Sequence, residues 1–157
     1  MKYWLMKSEP DVFGFEHLLA AKDQTTPWEG VRNYQARNYM RDTMKKGDKV
    51  LFYHSSTKIP GVAGLAQVAS NAYPDPTQSN AASDYFDPKS TIDNPRWMMV
   101  NVQAIATLEF VALETLRQDP KLEGMMLLQR GSRLSIQPVS AAHFKHILKL
   151  GGWNERS

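Results

Sequence analysis

The sequence contains no cysteine. That excludes a disulfide framework, a thiolate zinc site and a cysteine nucleophile. Long apolar runs are also missing. The aromatic run Tyr3-Trp4-Leu5-Met6 near the N-terminus is four residues long, against about 7–15 for a secretory core and about 20 for a membrane span. The chain therefore reads as soluble and cytoplasmic, without a membrane partner. HExxH, P-loop, GxGxxG and GxSxG signatures are absent too. The four histidines are His17, His54, His143 and His146. The last two, at i, i+3 spacing, read as a surface pair, because no acidic partner lies nearby in sequence. Asp84, Asp87 and Asp93 do not match an EF-hand loop and read as solvated loop acids. No metal, no cofactor and no catalytic residue is expected, so the chain reads as a non-enzyme.

What is present is the composition of one globular domain, taken as residues 1–157. Apolar residues make up 42% and charged residues 22%, which leaves enough apolar surface for a single core. The net charge is only +3, but it is unevenly spread. From Gly30 to Pro60 there are seven basic residues against Asp42 and Asp48. From Arg130 to Lys149 there are four basic residues and no acid, while Asp75 to Pro95 is acidic. Two basic segments that met in space would form a positive face able to hold phosphates. Charge alone leaves a solvated surface equally open.

The elements follow from periodicity and caps. Tyr3-Trp4-Leu5-Met6 reads as a buried strand ended by Ser8-Glu9-Pro10. Phe15 to Ala21 reads as a short helix with Phe15, Leu18 and Leu19 inward, and Asp23 to Pro27 as a turn. Asn33 caps a helix through Met44, with Gly47 as its stop. Lys49 to Ser55 and Val62 to Ala72 read as strands, and Tyr73 to Pro95 mostly as an ordered surface loop. Trp97 to Phe110 alternates as a long strand. Leu113 to Gln118 is a helix interrupted by Pro120. Leu134 to Val139 is a last strand, and Ser140 caps a terminal helix with Phe144, Ile147 and Leu148 inward. The absence of a βαβ beat points to an α+β domain with a mostly antiparallel sheet, open or closed into a barrel.

The densest chemistry lies in Trp28-Glu29-Gly30-Val31-Arg32-Asn33-Tyr34-Gln35-Ala36-Arg37-Asn38. So many polar side chains need partners if buried. Arginine pairs with phosphate or stacks on a ring, asparagine and glutamine can read a base edge, and tryptophan offers a stacking face. The plainer alternative is a capped surface helix beside one buried tryptophan. Phe52-Tyr53-His54-Ser55 ends a strand, with Phe52 and His54 on one face and Tyr53 and Ser55 on the other. A lone histidine such as His54 is more often a structural hydrogen-bonder than a base.

These segments, together with Trp4-Leu5-Met6-Lys7-Ser8-Glu9-Pro10, Gly61-Val62-Ala63-Gly64, Tyr73-Pro74-Asp75-Pro76-Thr77-Gln78, Tyr85-Phe86-Asp87-Pro88-Lys89, Pro95-Arg96-Trp97 and Gln129 to Val139, resemble the EVE domain family. The resemblance spans nearly the whole chain in order. It implies a PUA-like fold, a small, mostly antiparallel β-barrel flanked by short helices. The family is related to YTH domains, which hold N6-methyladenine in an aromatic cage, and to SRA-like readers of methylated cytosine. It implies DNA or RNA carrying a modified base as partner. By that analogy Trp28 and Trp97 form a wall, with Lys7 and Ser8 as polar contacts at the end of the first strand. Asn33, Tyr34, Arg37 and Asn38 would read the base edge or an adjoining phosphate. Tyr53, His54, Arg130, Leu134 and Ser135 would be neighbours.

Two other readings stay open at this point. One is a pocket for small anions or metabolites, since Lys7, Arg37 and Arg130 suit a phosphate, carboxylate or sulfonate. The other is an enzyme acting on a modified nucleoside, which lacks a recognisable acid–base pair.

Overall fold

The computed structural model describes residues 1–153. The chain runs β1 (Tyr3–Ser8), α1 (Pro10–Phe13), α2 (Phe15–Ala20), β2 (Thr25–Pro27), α3 (Tyr34–Asn38), β3 (Lys49–His54) and β4 (Gly61–Val68). Then follow β5 (Tyr73–Pro74), β6 (Met98–Met99), β7 (Asn101–Ala112), α4 (Leu113–Gln118), β8 (Ile136–Val139) and α5 (Ala141–Leu150). Six strands form one sheet in the order β2-β7-β4-β3-β1-β8, and β5 pairs with β6 apart from it. Within the large sheet only β1 and β3 run parallel. The sheet is curled into a half-barrel flanked by short helices, the α+β, PUA-like architecture that the sequence implies. Register shifts at Phe52/Tyr53 against β4, and at Val62/Gly64 and Leu65/Ala66 against β7, mark the irregularities that bend it. Gly64 sits at one of them because the Phe15 ring lies flush against its backbone, where a Cβ would clash.

Period-2 alternation buries both faces of the sheet. Trp4, Met6, Phe52 and Ala66 face a core completed by Phe15, Leu18 and Met40. Leu5, Leu51 and Leu65 face a second core completed by Leu116, Phe144, Ile147 and Leu148. Helices therefore cover each side, and the functional groups collect where the central strands run out. Among the described residues no helix is long and apolar enough to cross a membrane.

Several elements differ from the sequence expectation. Thr25–Pro27, read as a turn, is an edge strand on β7. The helix capped by Asn33 loosens after Asn38 into a π-helical turn over Tyr39–Thr43, and Met44 is already extended. The Tyr73 to Pro95 stretch contains β5 and two buried polar residues, Asp75 and Gln78. The Trp97 to Phe110 strand is split, with Val100 outside both β6 and β7, and the last strand begins at Ile136. His146 is not merely a surface partner of His143: its Nε2 lies 2.6 Å from Asp119 Oδ2, an acid 27 residues away.

Candidate functional site

β1 ends at a cleft of about 500 Å³. The strand stops because Pro10 opens α1, and the Ser8 hydroxyl donates to the Phe13 carbonyl at 2.6 Å, folding α1 back over the strand end. The Lys7 amide donates to the Ser135 carbonyl at 2.8 Å, bringing the approach to β8 alongside. Opposite, the Trp28 amide donates to the Val100 carbonyl at 2.8 Å, prolonging the path of β2. The cleft is thus lined by Lys7, Ser8 and Ser135 on one side and by Trp28 on the other. Val12, Phe13, Pro27 and Val31 supply apolar wall, and Glu9 and Glu29 bring carboxylates. The Trp28 side chain is anchored edge-on against Phe52, with centroids 5.5 Å apart and planes at 82°.

The rim is fixed by a buried carboxylate. Gly30 has φ +82°, a left-handed conformation that favours glycine, and a Cβ there would stand 2.7 Å from the Tyr85 ring. Its amide donates to Asp75 Oδ2 at 2.8 Å. Arg32 lies 3.3 Å from the same oxygen and also reaches Thr77, the Tyr85 carbonyl and the Val31 carbonyl. All its guanidinium donors are satisfied within the protein, so it fastens the rim.

Asp75 is 1% exposed. Burial raises its pKa, but the Thr77 hydroxyl, the Gly30 and Thr77 amides and the Arg32 charge outweigh that and hold the carboxyl below the ordinary value. A lowered folded value adds stability that is complete above the unfolded pKa and is lost as pH falls through the folded one. Stability should therefore decline in acid, starting near pH ~4, the ordinary Asp value. Urea midpoints measured against pH should show Asp75→Asn with a lower plateau and a flatter acid limb than wild type. Parallel acid limbs would contradict this role.

Asn33, Tyr34, Arg37, Asn38 and Trp97 do not line the cleft. The Asn33 side chain accepts from the Ala36 amide at 3.0 Å as a helix cap. Tyr34 stacks on Trp97 at 4.8 Å and 22°, Arg37 lies 4.7 Å over Tyr34, and Arg32 lies 5.3 Å over Trp97. Arg37 also donates to the Arg96 carbonyl at 2.8 Å and to Asn38 Oδ1. Trp97 is 5% exposed and donates from Nε1 to Asp87 at 2.7 Å, so Asp87 is not a free loop acid. Together these groups clamp the Tyr73 to Pro95 excursion onto α3, next to the rim that Arg32 and Tyr85 share.

His54 is structural in its contacts. Its Nε2 accepts from the Phe15 amide at 3.1 Å, and burial lowers its pKa, which keeps that lone pair free. Leu134 packs on the first core. Tyr53 and Arg130 line a second cleft, on the other side of β1, which also includes Lys7. Among the described residues no group of His, Asp and Glu is placed to hold a metal ion.

Sequence reasoning missed the apolar wall and Asp75. The apolar wall carried no local signal. Asp75 did: Asp-Pro-Thr is a cap sequence, and its side chain accepts from the Thr77 amide at 2.8 Å.

The EVE domain model matches residues 2–150. Thymocyte nuclear protein 1 of Homo sapiens is 43% identical over 94% of this chain and 73% of that protein. A solved structure of a hypothetical protein from Leishmania major superposes with TM-score 0.90 at 48% identity, covering 97% of this chain and 95% of that one. Human THYN1 protein, solved in complex with 5-methylcytosine containing DNA, superposes with TM-score 0.90 at 42% identity, covering 98% and 99%. The fold likeness reaches a YTH domain from Zygosaccharomyces rouxii, at TM-score 0.57 and 18% identity over 98% of this chain and 88% of that one. With the family model spanning nearly all of it, this chain belongs to the EVE domain family.

Proposed function

We propose that this chain is a non-catalytic nucleic-acid-binding domain that reads a modified base in DNA or RNA. The base enters the cleft at the end of β1. The observation that carries the reading is the pairing of one anchored indole and an apolar wall with Lys7 and Ser8 across a cleft of about 500 Å³. That is the size and character of a small-ligand pocket. The DNA complex of the similar human protein supports it.

A base read this way leaves its stack and is held by ring contacts plus hydrogen bonds to its edge. Trp28 supplies the ring contact. Ser8, Ser135 and Lys7 supply donors and acceptors. Glu9 and Glu29 add carboxylates, which accept from an exocyclic amine such as that of cytosine. The apolar wall takes the added methyl group. Asn33, Tyr34, Arg37, Asn38 and Trp97 serve the site indirectly by holding the rim.

Burying one methyl is worth about 0.8 kcal/mol, or roughly fourfold in affinity. Titrating matched oligonucleotides, with and without 5-methylcytosine or N6-methyladenine, in DNA and in RNA, should give at least that preference for one modified member. Equal affinity for every member of the panel would sink the reading.

A further inference from the structure

The second cleft shares only Lys7 with the base-reading cleft. It encloses about 470 Å³ and lies against Tyr53 on the opposite face of the sheet from the first core. Lys7 from β1, Arg117 from α4, and Arg130 and Arg133 from the loop before β8 line it, and among the described residues no carboxylate does. The ion pairs among the described residues join Arg32 to Asp75, Arg41 to Asp42 and His146 to Asp119. None of these four cations takes part. Four positive charges lining one cleft make a positive potential there that attracts an anion.

The cleft is also built rather than incidental. Arg130 and Arg133 flank Gly131, which turns the chain with φ +76°. Gln137, 1% exposed, donates to the Ser132 hydroxyl at 3.0 Å and to the Leu134 carbonyl at 2.9 Å, pinning that turn from beneath. Tyr53 pairs with Lys7 in the sheet register, and Lys7 Nζ lies 6.0 Å from its ring centre. Burial pushes the Tyr53 hydroxyl up to about 12, against the pull of the Arg117 charge, so it stays protonated. Burial lowers Lys7 as well, a penalty that a bound anion relieves.

We infer that the second cleft binds phosphate, and specifically the phosphodiesters of the strand whose base occupies the first cleft. Arginine forks match phosphate oxygens in pairs. Lys7 lines both clefts, so a backbone leaving one passes directly to the other. The assignment to the same strand rests on the base-reading proposal; the phosphate chemistry does not.

The test compares wild type with Arg117→Gln, Arg130→Gln, Arg133→Gln and the triple variant, all at exposed positions. Affinity for methylated and unmodified oligonucleotides is measured across a salt series. The triple variant should bind both at least tenfold more weakly at low salt. The slope of log K against log salt should fall by about one for each arginine that holds a phosphate. The preference for the methylated oligonucleotide should not change, because it belongs to the first cleft. Wild-type affinity and slope in the triple variant would overturn the proposal. Inorganic phosphate and a nucleoside monophosphate are titrated in parallel by NMR. If they saturate the arginine signals while the variants bind oligonucleotide normally, the cleft serves a free anion and the strand assignment falls. If wild type shows no methyl preference but the salt slope still drops, base reading fails and the phosphate site stands.

Discussion

Replacing Trp28 with alanine should lower the unfolding free energy by about 3–5 kcal/mol and abolish selective binding. Both losses come from one position. The side chain is 8% exposed and belongs to the first core, edge-on to Phe52, yet it also lines the cleft. Alanine leaves a void between Phe52 and the cleft floor that the neighbouring strands cannot close, since the Trp28 amide remains bonded to the Val100 carbonyl. A destabilised protein would confuse the binding result, so Trp28→Leu separates the two effects. Leucine keeps much of the apolar fill and loses the flat ring. It should cost less stability and still weaken a modified oligonucleotide by the worth of one stack, about 1–3 kcal/mol, or 5–150-fold. Urea denaturation gives the first quantity and oligonucleotide titration the second. A Trp28→Leu protein that folds and keeps wild-type preference would remove Trp28 from the base wall.

Which features could be read from residue order depends on where their partners lie. β1, β3 and α5 announce themselves through local alternation, i/i+3/i+4 spacing and the Ser140 cap, and the structure contains them at nearly those bounds. β2 does not, because Thr25–Pro27 is a strand only by virtue of β7, whose residues Asn101 to Gln103 lie far along the chain. The same distinction runs through the site. Lys7, Ser8, Trp28 and Ser135 line one cleft. Asn33, Tyr34, Arg37, Asn38 and Trp97 are equally rich in hydrogen-bonding and stacking capacity, but their partners are Ala36, Arg96, Asp87 and one another. Dense polar and aromatic chemistry requires partners; it does not say whether they are ligands or the protein's own loops. Arg117 and Arg133 carry the reverse lesson. Arg117 stands in no dense segment and Arg133 belongs to the basic stretch from Arg130 to Lys149, and only the fold brings both to Lys7.

At the far end of β1 from the cleft, Asp48→Ala should cost about 2–3 kcal/mol while leaving the binding surface intact. In the sequence Asp48 is one of two acids among seven bases between Gly30 and Pro60 and suggests only charge balance. In the fold it is 4% exposed, and its carboxylate gathers three N–H donors. Oδ1 accepts from the Lys2 amide at 3.1 Å, and Oδ2 accepts from Trp4 Nε1 at 3.1 Å and from the Lys45 amide at 3.0 Å. These donors belong to the start of β1, to the core indole and to the turn leading into β3. Removing the carboxylate leaves the buried Trp4 indole N–H without an acceptor, a loss of roughly 1–3 kcal/mol, and frees the two part-buried amides that it ties together. Asn is the informative comparison, since its amide keeps one acceptor oxygen but turns an NH₂ toward donors. Asp48→Asn should therefore fall between wild type and alanine rather than restore stability. Trp4→Phe removes the indole N–H while keeping a ring in the core. Combined with Asp48→Ala in a double-mutant cycle, it should show less than additive loss, because the Trp4 hydrogen bond is counted in both single variants. Additive losses, or an Asp48→Ala protein within about 0.5 kcal/mol of wild type, would show that the start of β1 is held by packing alone.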